Sequence, residues 1–281
     1  MPVPSTALAG AYARLAEVLP QLAVTEWPAG TELPSGGGWI GAAALAEGGV
    51  ALDAFLAHDD AQVLRDHGQR ARPDVVASFG LHRYAWPTCL LITVPWFLHR
   101  RVPRLPVTDV SYDRTAPGLA LGRMAVRPAG FACLPGDPAA ALPGARVVAG
   151  EEALRGEVRA AVAEHLEPVL AAFGPRTRRH GRALWGMATD EVVEGLWYVA
   201  QLLGEPERAV RELGLLLPGA TRPYVGSAAF REQPGPDTGA PTRDRASCCM
   251  FYTVSPEDTC GTCPRTRDTS RGSKPALAAV S

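Results

Sequence analysis

Cys248 and Cys249 stand side by side and Cys260 and Cys263 follow, so four of the six cysteines fall in one short run, C-C-x10-C-x2-C. Four soft sulfur ligands from a single segment can close a tetrahedral all-cysteine zinc site or complete the ligand set of a [2Fe-2S] cluster. Either chemistry makes this part of the chain a metal centre. Zinc sites of four cysteines are usually built from two separated C-x2-C knuckles, and here only Cys260 and Cys263 form one. The adjacent pair has Cα atoms about 3.8 Å apart, so its two thiolates reach nearly the same place and demand a turned backbone. A two-iron cluster offers four terminal positions for such a set. A disulfide between neighbours would close a strained ring.

Other residues with chemical potential carry less. Gly36-Gly37-Gly38-Trp39-Ile40-Gly41 spells G-x-G-x-x-G, with Asp59 and Asp60 further on, but Thr31 to Ser35 in front of it is too short and proline-broken for the strand a dinucleotide site needs, and it reads as a loop. The six histidines show no i, i+4 pair, and Cys89 and Cys133 lie in apolar runs where a lone cysteine is a small buried hydrophobe. Asp190, Glu191 and Glu194 read as acids favoured by the dipole of an early helical turn. Arg176, Arg178, Arg179 and Arg182 with nearby His180 form the densest cationic cluster, and Arg178, Arg179 and Arg182 are candidates for binding an oxygen-rich anionic substrate, set against a solvated helix face. No G-x-S-x-G or G-x-x-x-x-G-K-[ST] motif gives a foothold for a hydrolase or an NTPase.

The elements that must position the cysteines are mostly helical. Leu8, Tyr12, Leu15, Leu19 and Leu22 mark a helix face starting at Ser5 as cap and disturbed at Pro20. Thr25 to Gly49 is rich in Gly and Pro, and Val50 to Arg70 resumes a helical pattern. Val75 to Arg100 reads as buried helical segments broken at Pro87 and Pro95. Short runs around Leu119 to Val126 and Phe131 to Leu134 are expected as antiparallel strands. Leu154, Val158, Val162, Leu166, Leu170 and Phe173 give one helical stripe, Leu184 to Leu203 another, and Pro206 to Leu217 a third helix. The stretch Arg231 to Arg245 has the composition of a linker, and the residues after Pro264 that of a disordered tail. The expectation is an α+β fold: a helix-rich body over 1–235 with a small antiparallel sheet, a compact cysteine module over 236–265, and a tail over 266–281.

Twenty-eight Lys plus Arg against 29 Asp plus Glu remove the electrostatic case for nucleic acid as a partner. Lys274 is the only lysine. The most apolar run, Cys89 to Leu98, is far short of the ~20 residues that span a bilayer, so no integral membrane segment is expected. The first residues lack a basic region ahead of their apolar stretch, which points away from an export signal. A reducing interior, where clustered cysteines serve as metal ligands or redox centres, is therefore the expected compartment.

Cys248-Cys249, ten intervening residues and Cys260-Gly261-Thr262-Cys263-Pro264, preceded by Arg245 and with Phe251-Tyr252 after the first pair, resemble the ferric siderophore reductase (FhuF-like) family. Ser78-Phe79-Gly80-Leu81-His82 and Arg182-Ala183-Leu184-Trp185-Gly186 add a looser likeness. The resemblance implies that Cys248, Cys249, Cys260 and Cys263 ligate one [2Fe-2S] cluster, in a protein that is cytoplasmic or peripheral to the inner face of the membrane. It further implies an oxidoreductase that passes one electron to Fe(III) in a siderophore of hydroxamate type, the body cradling the chelate. With no nicotinamide or flavin site, electrons would come from a ferredoxin or a ferredoxin reductase. Two other readings use the same cysteines: a non-enzymatic binding or sensing protein with structural zinc or a redox-silent cluster, and an electron carrier for another enzyme.

Overall fold

The computed structural model describes residues 6–232, 241–257, 260 and 262–264. In chain order the elements are α1 (Ala9–Val18), β1 (Leu22–Glu26), β2 (Trp39–Gly41), α2 (Ala42–Glu47), α3 (Gly49–His67), α4 (Pro73–His99), β3 (Arg101–Pro103), β4 (Val110–Asp113), β5 (Gly122–Val126), β6 (Phe131–Cys133), β7 (Ala145–Val147), α5 (Glu151–Thr177), α6 (Gly181–Leu202), α7 (Pro206–Leu216), β8 (Arg231–Glu232) and β9 (Pro241–Thr242). The fold is helix-rich α+β, and no helix among the described residues is long and apolar enough to cross a membrane. Ser5, Gly261, the centre of the expected linker and the tail beyond Pro264 lie outside the described residues.

Two compact units divide the chain, one of residues 1–47 and 87–169, the other of residues 48–86 and 170–281. The first carries the two larger sheets, and the second the two-stranded β8-β9. The four-stranded sheet runs β1-β5-β4-β2, and the three-stranded one β3-β6-β7. The expected antiparallel pairing is present at β2/β4, β4/β5 and β3/β6, and the parallel pairs β1/β5 and β6/β7 make both sheets mixed. The stripe Leu8, Tyr12, Leu15, Leu19 and Leu22 is buried throughout. Its helix nevertheless stops at Val18, because Pro20 disfavours helical geometry at Leu19, and Leu22 opens a strand instead. Gly36, Gly37 and Gly38 all take positive φ and turn the chain into β2, which pairs antiparallel with β4, so the glycine run is a turn and not the mouth of a dinucleotide site.

The expected breaks at Pro87 and Pro95 are absent: α4 is one helix through both prolines. A proline at 95 removes the amide that would bond the Leu91 carbonyl. That carbonyl is satisfied from outside the helix, by the Tyr12 hydroxyl at 3.0 Å. The helix also lies deep, the residues from Val75 to Phe97 all being buried.

The second unit contains α3, the first half of α4, the end of α5, α6, α7 and the segment from β9 to Pro264. Phe55 is its aromatic hub, edge-on to Tyr84 and Phe173 with centroids 6.4 and 6.1 Å apart. Arg83 and Asp59, both buried, pair at 2.7 Å.

In the first unit His165 of α5 is wholly buried, with Nδ1 2.6 Å from the Leu105 carbonyl. Desolvation pushes its pKa down to about 4, against a smaller opposing pull from that carbonyl. For a base depressed in the native state the unfolded chain takes up the proton first, so stability present above pH 6.5 is lost as the pH falls toward 4. Between pH 7 and pH 5 this loss is about 2 kcal/mol. His165→Gln is expected to remove that part of the acid sensitivity, read as the difference between guanidinium unfolding free energies at the two pH values; an unchanged difference would refute it.

Candidate metal centre

The four cysteines lie in the second unit, and the groups that hold them come from α3, α4, α6 and the turn before α6. On α6, Asp190, Glu191 and Glu194 are buried at 0%, 3% and 3% exposure, in the middle of a helix that begins at Gly181. They are not dipole-favoured acids of a first turn, as expected above. They face two arginines of the segment leading into the first cysteine pair. Arg243, itself inaccessible, donates from Nη1 to Glu194 Oε1 at 2.8 Å and from Nη2 to Asp190 Oδ1 at 3.0 Å. Arg245 donates from Nη2 to Glu191 Oε1 at 3.2 Å, and its Nε lies 3.7 Å from Asp190 Oδ2. Burial works against the Arg245 charge, but Asp190, Glu191 and Glu194 outweigh it and hold the guanidinium more firmly protonated than usual. Burial likewise raises the pKa of Glu194, and the two arginines offset part of that rise.

Asp190 also fixes the backbone. Its Oδ1 accepts from the Ala246 amide at 2.8 Å, and its Oδ2 from the Ser247 amide at 2.8 Å and the Ser247 hydroxyl at 3.0 Å. Gly226 makes room for this segment: it sits at φ +89°, and a Cβ there would lie 2.7 Å from the Ala246 Cβ. One residue on, Arg179 Nη2 donates to the Cys248 carbonyl at 2.6 Å while its Nη1 meets the Met187 sulfur at 3.2 Å. Ser78 Oγ of α4 donates to the Cys249 carbonyl at 3.3 Å. His82, one turn further along α4, makes a short hydrogen bond from Nδ1 to Glu191 Oε1.

The turned backbone demanded by adjacent cysteines appears at Met250, whose φ of 69° is left-handed and whose amide donates to Cys248 Sγ at 3.4 Å. The chain then drops into a single 3-10 turn, Phe251–Thr253, and packs Met250, Phe251 and Val254 on Val63, Val75 and Phe79. Gln69 Nε2 donates to the Val254 carbonyl at 2.8 Å, and His67 stands edge-on to Phe251 at 5.5 Å. At the C-x2-C knuckle the Cys263 amide donates to the Cys260 carbonyl at 3.0 Å, and Thr262 accepts from the Arg245 amide at 3.1 Å. Both halves of the cysteine motif are therefore fastened to the residue that Asp190 and Glu191 hold.

All six cysteines are free thiols. Cys249 and Cys263 are buried, Cys248 and Cys260 half-buried, and the Cys249 and Cys260 sulfurs are 4.0 Å apart. The Cys260 thiol, donating to Cys249, lowers the pKa of Cys249 against the opposing effect of burial, with Arg245 and His82 adding to the lowering; Cys260 is pushed up in return. Desolvation pushes Cys248 up as well. Among the described residues no three His, Cys, Asp or Glu side chains converge as a site for a single metal ion. The donor set fits a cluster: four thiols on one segment, a sulfur pair in contact, a kinked Cys-Cys backbone, and fixed cations facing the sulfurs to offset thiolate charge.

Of the three arginines expected near a substrate, Arg179 reaches the cysteine segment, whereas Arg178 and Arg182 are exposed. Cys89 and Cys133 are buried in the first unit, as small hydrophobes. The carboxylate and arginine frame was missed, although two signs of it were readable. Asp190 and Glu194 are spaced i, i+4 inside an otherwise apolar helix, and Arg243 and Arg245 alternate just before the cysteines.

Replacing Asp190 with Asn leaves Arg243 facing half of its countercharge and turns one of the two oxygens that accept from the Ala246 and Ser247 amides into a donor. Breaking a buried pair from one side costs about 3–5 kcal/mol. Asp190→Asn is expected to lower the urea unfolding free energy by that amount, whereas an exposed control such as Glu17→Gln, whose partner Arg14 is solvated, changes it by under about 1 kcal/mol. Equal effects of the two would show that the frame is not what secures the segment.

No curated protein matches this chain. Residues 245–265, from the frame arginine to just past the last cysteine, match the family model of the FhuF 2Fe-2S C-terminal domain. The chain is thus an iron-sulfur protein that carries a FhuF-like C-terminal module, and its cofactor is a [2Fe-2S] cluster.

Proposed function

We propose that the protein is a ferric siderophore reductase in which Cys248, Cys249, Cys260 and Cys263 are the cluster ligands. The observation that carries this reading is the C-C-x10-C-x2-C segment, matched to a 2Fe-2S domain and anchored by Arg243 and Arg245 on buried carboxylates. The division of labour follows the chain: residues 1–235 bind the ferric chelate, 236–265 form the cluster module, and 266–281 are a tail.

Bound to the four thiolates, the cluster supplies one electron at low potential. Siderophores hold Fe(III) through hard oxygen donors, and the added electron makes Fe(II), for which those donors are poor ligands. Each tenfold preference for ferric over ferrous iron lowers the chelate's potential by 59 mV, so a millionfold preference lowers it by about 350 mV. Iron-sulfur centres reach potentials low enough for this, and exposure and hydrogen bonds to sulfur tune them. Arg245 and Arg179 hold the segment of the cysteine pair in place, and Cys248 and Cys260 are the more exposed of the four thiols. Electrons enter from a ferredoxin or a ferredoxin reductase, in the cytoplasm or at the inner face of the membrane.

Protein purified without oxygen and reduced with a low-potential dye is expected to bleach, then to regain its visible absorption on adding a ferric hydroxamate, with one Fe(II) trapped per protein reoxidised. Reduced protein that stays bleached with the chelate would make it an electron carrier for another enzyme, and a colourless preparation holding zinc without sulfide would make the module structural.

A further inference from the structure

His82 is buried, its side chain 5% exposed, and only one of its ring nitrogens is used. Nδ1 meets Glu191 Oε1, and Arg245 Nη2 approaches the same two atoms, at 3.5 Å from Nδ1 and 3.2 Å from Oε1. Nε2 is inaccessible and has no hydrogen-bond partner among the described residues. A buried polar nitrogen left in this way is destabilising unless another group meets it. The ring is not loose: Glu191 and Arg245 fix its orientation, and Ser78, one turn earlier on α4, donates to the Cys249 carbonyl, so this face of the helix looks onto the first cysteine pair.

The chemistry of what could meet Nε2 is narrow. Asp190, Glu191 and Glu194 outnumber Arg243 and Arg245 in a buried group, so the surroundings of the His82 ring favour a hydrogen-bond donor over a further acceptor. Glu191 takes up Nδ1, so a group that meets an N–H at Nε2 must be an acceptor. The neighbouring chemistry is sulfur, since the Cys249 thiol, governed first by its bond with Cys260, also responds to the charges of Arg245 and His82.

We propose that His82 is a redox-tuning residue: its Nε2–H donates to sulfur of the bound [2Fe-2S] group on the Cys249 side, and Glu191 and Arg245 act as the positioning residues that aim it. The inference rests on the reading that the four cysteines hold the cluster. A donor to cluster sulfur favours the reduced form, which carries one more negative charge, and so raises the potential.

Two substitutions separate the ring's two ends. His82→Asn keeps an amide near Nδ1 for Glu191 and loses the outer N–H; His82→Gln places an amide nitrogen near Nε2. In dye-equilibrated EPR titrations at fixed pH, H82N is expected to lower the reduction equilibrium constant about tenfold, or 59 mV for one electron, and H82Q to stay within about threefold of the parent. In parent protein labelled with 15N-histidine, the reduced cluster is expected to show coupling to an imidazole nitrogen, lost in labelled H82Q. An unchanged potential in H82N, or no such coupling in cluster-loaded parent protein, would overturn the assignment, and the coupling decides alone if H82N does not load. Cys249→Ser retaining an unaltered cluster would instead sink the ligand reading, whatever H82N shows.

Discussion

A carboxylate taken out of water has to be met by donors on every side, and the second unit is organised around meeting that demand at Asp190. Each of its oxygens is occupied: Oδ1 by the Arg243 guanidinium and the Ala246 amide, Oδ2 by the Ser247 amide and hydroxyl, with Arg245 alongside. Such a group gains little as a stabilising pair, because the desolvation of its charges consumes most of the attraction. Its value is geometric. The two backbone amides before Cys248 are both bonded to Asp190, so the path of the chain into the first cysteine pair is set by this carboxylate.

The same frame shapes the electrostatics of the sulfur site. Four thiolates around a two-iron cluster are a concentration of negative charge, and three acids nearby would make it worse if they stood alone. Arg243 and Arg245 cancel most of that charge within the frame, and Arg245 and Arg179 turn their remaining influence toward Cys249 and Cys248. Acids and arginines thus act as one unit: the carboxylates hold the guanidiniums in place, and the guanidiniums offset the sulfurs.

The metal centre was legible in the sequence because its signal is covalent: the number and spacing of sulfurs in C-C-x10-C-x2-C do not depend on tertiary structure. The long amphipathic helices were legible for a similar reason, since the stripe from Leu154 to Phe173 is a local pattern and all six of its residues are buried. The frame showed only as spacing, because an acid in a helix looks the same whether water or an arginine some fifty residues away receives it. Pro87 and Pro95 misled for a related reason. A proline forbids an internal hydrogen bond, but whether the helix ends depends on what else can bond the abandoned carbonyl, and at Leu91 that is a tyrosine 79 residues earlier.

The continuity of α4 then acquires a functional meaning. Ser78 and His82 reach the cysteine segment from adjacent turns of one helix, so their spacing is fixed by the helix itself and not by a loop that could adjust. The segment that carries the cysteines is thus held from two helices, α4 and α6. Metal binding in small modules is often their folding event, with the site formed only as the ion arrives. Here the polar frame and the packing of Phe251 and Val254 on Phe79 are made by the protein itself, so the centre is held by the body of the unit and the cluster completes a site whose approach is already built.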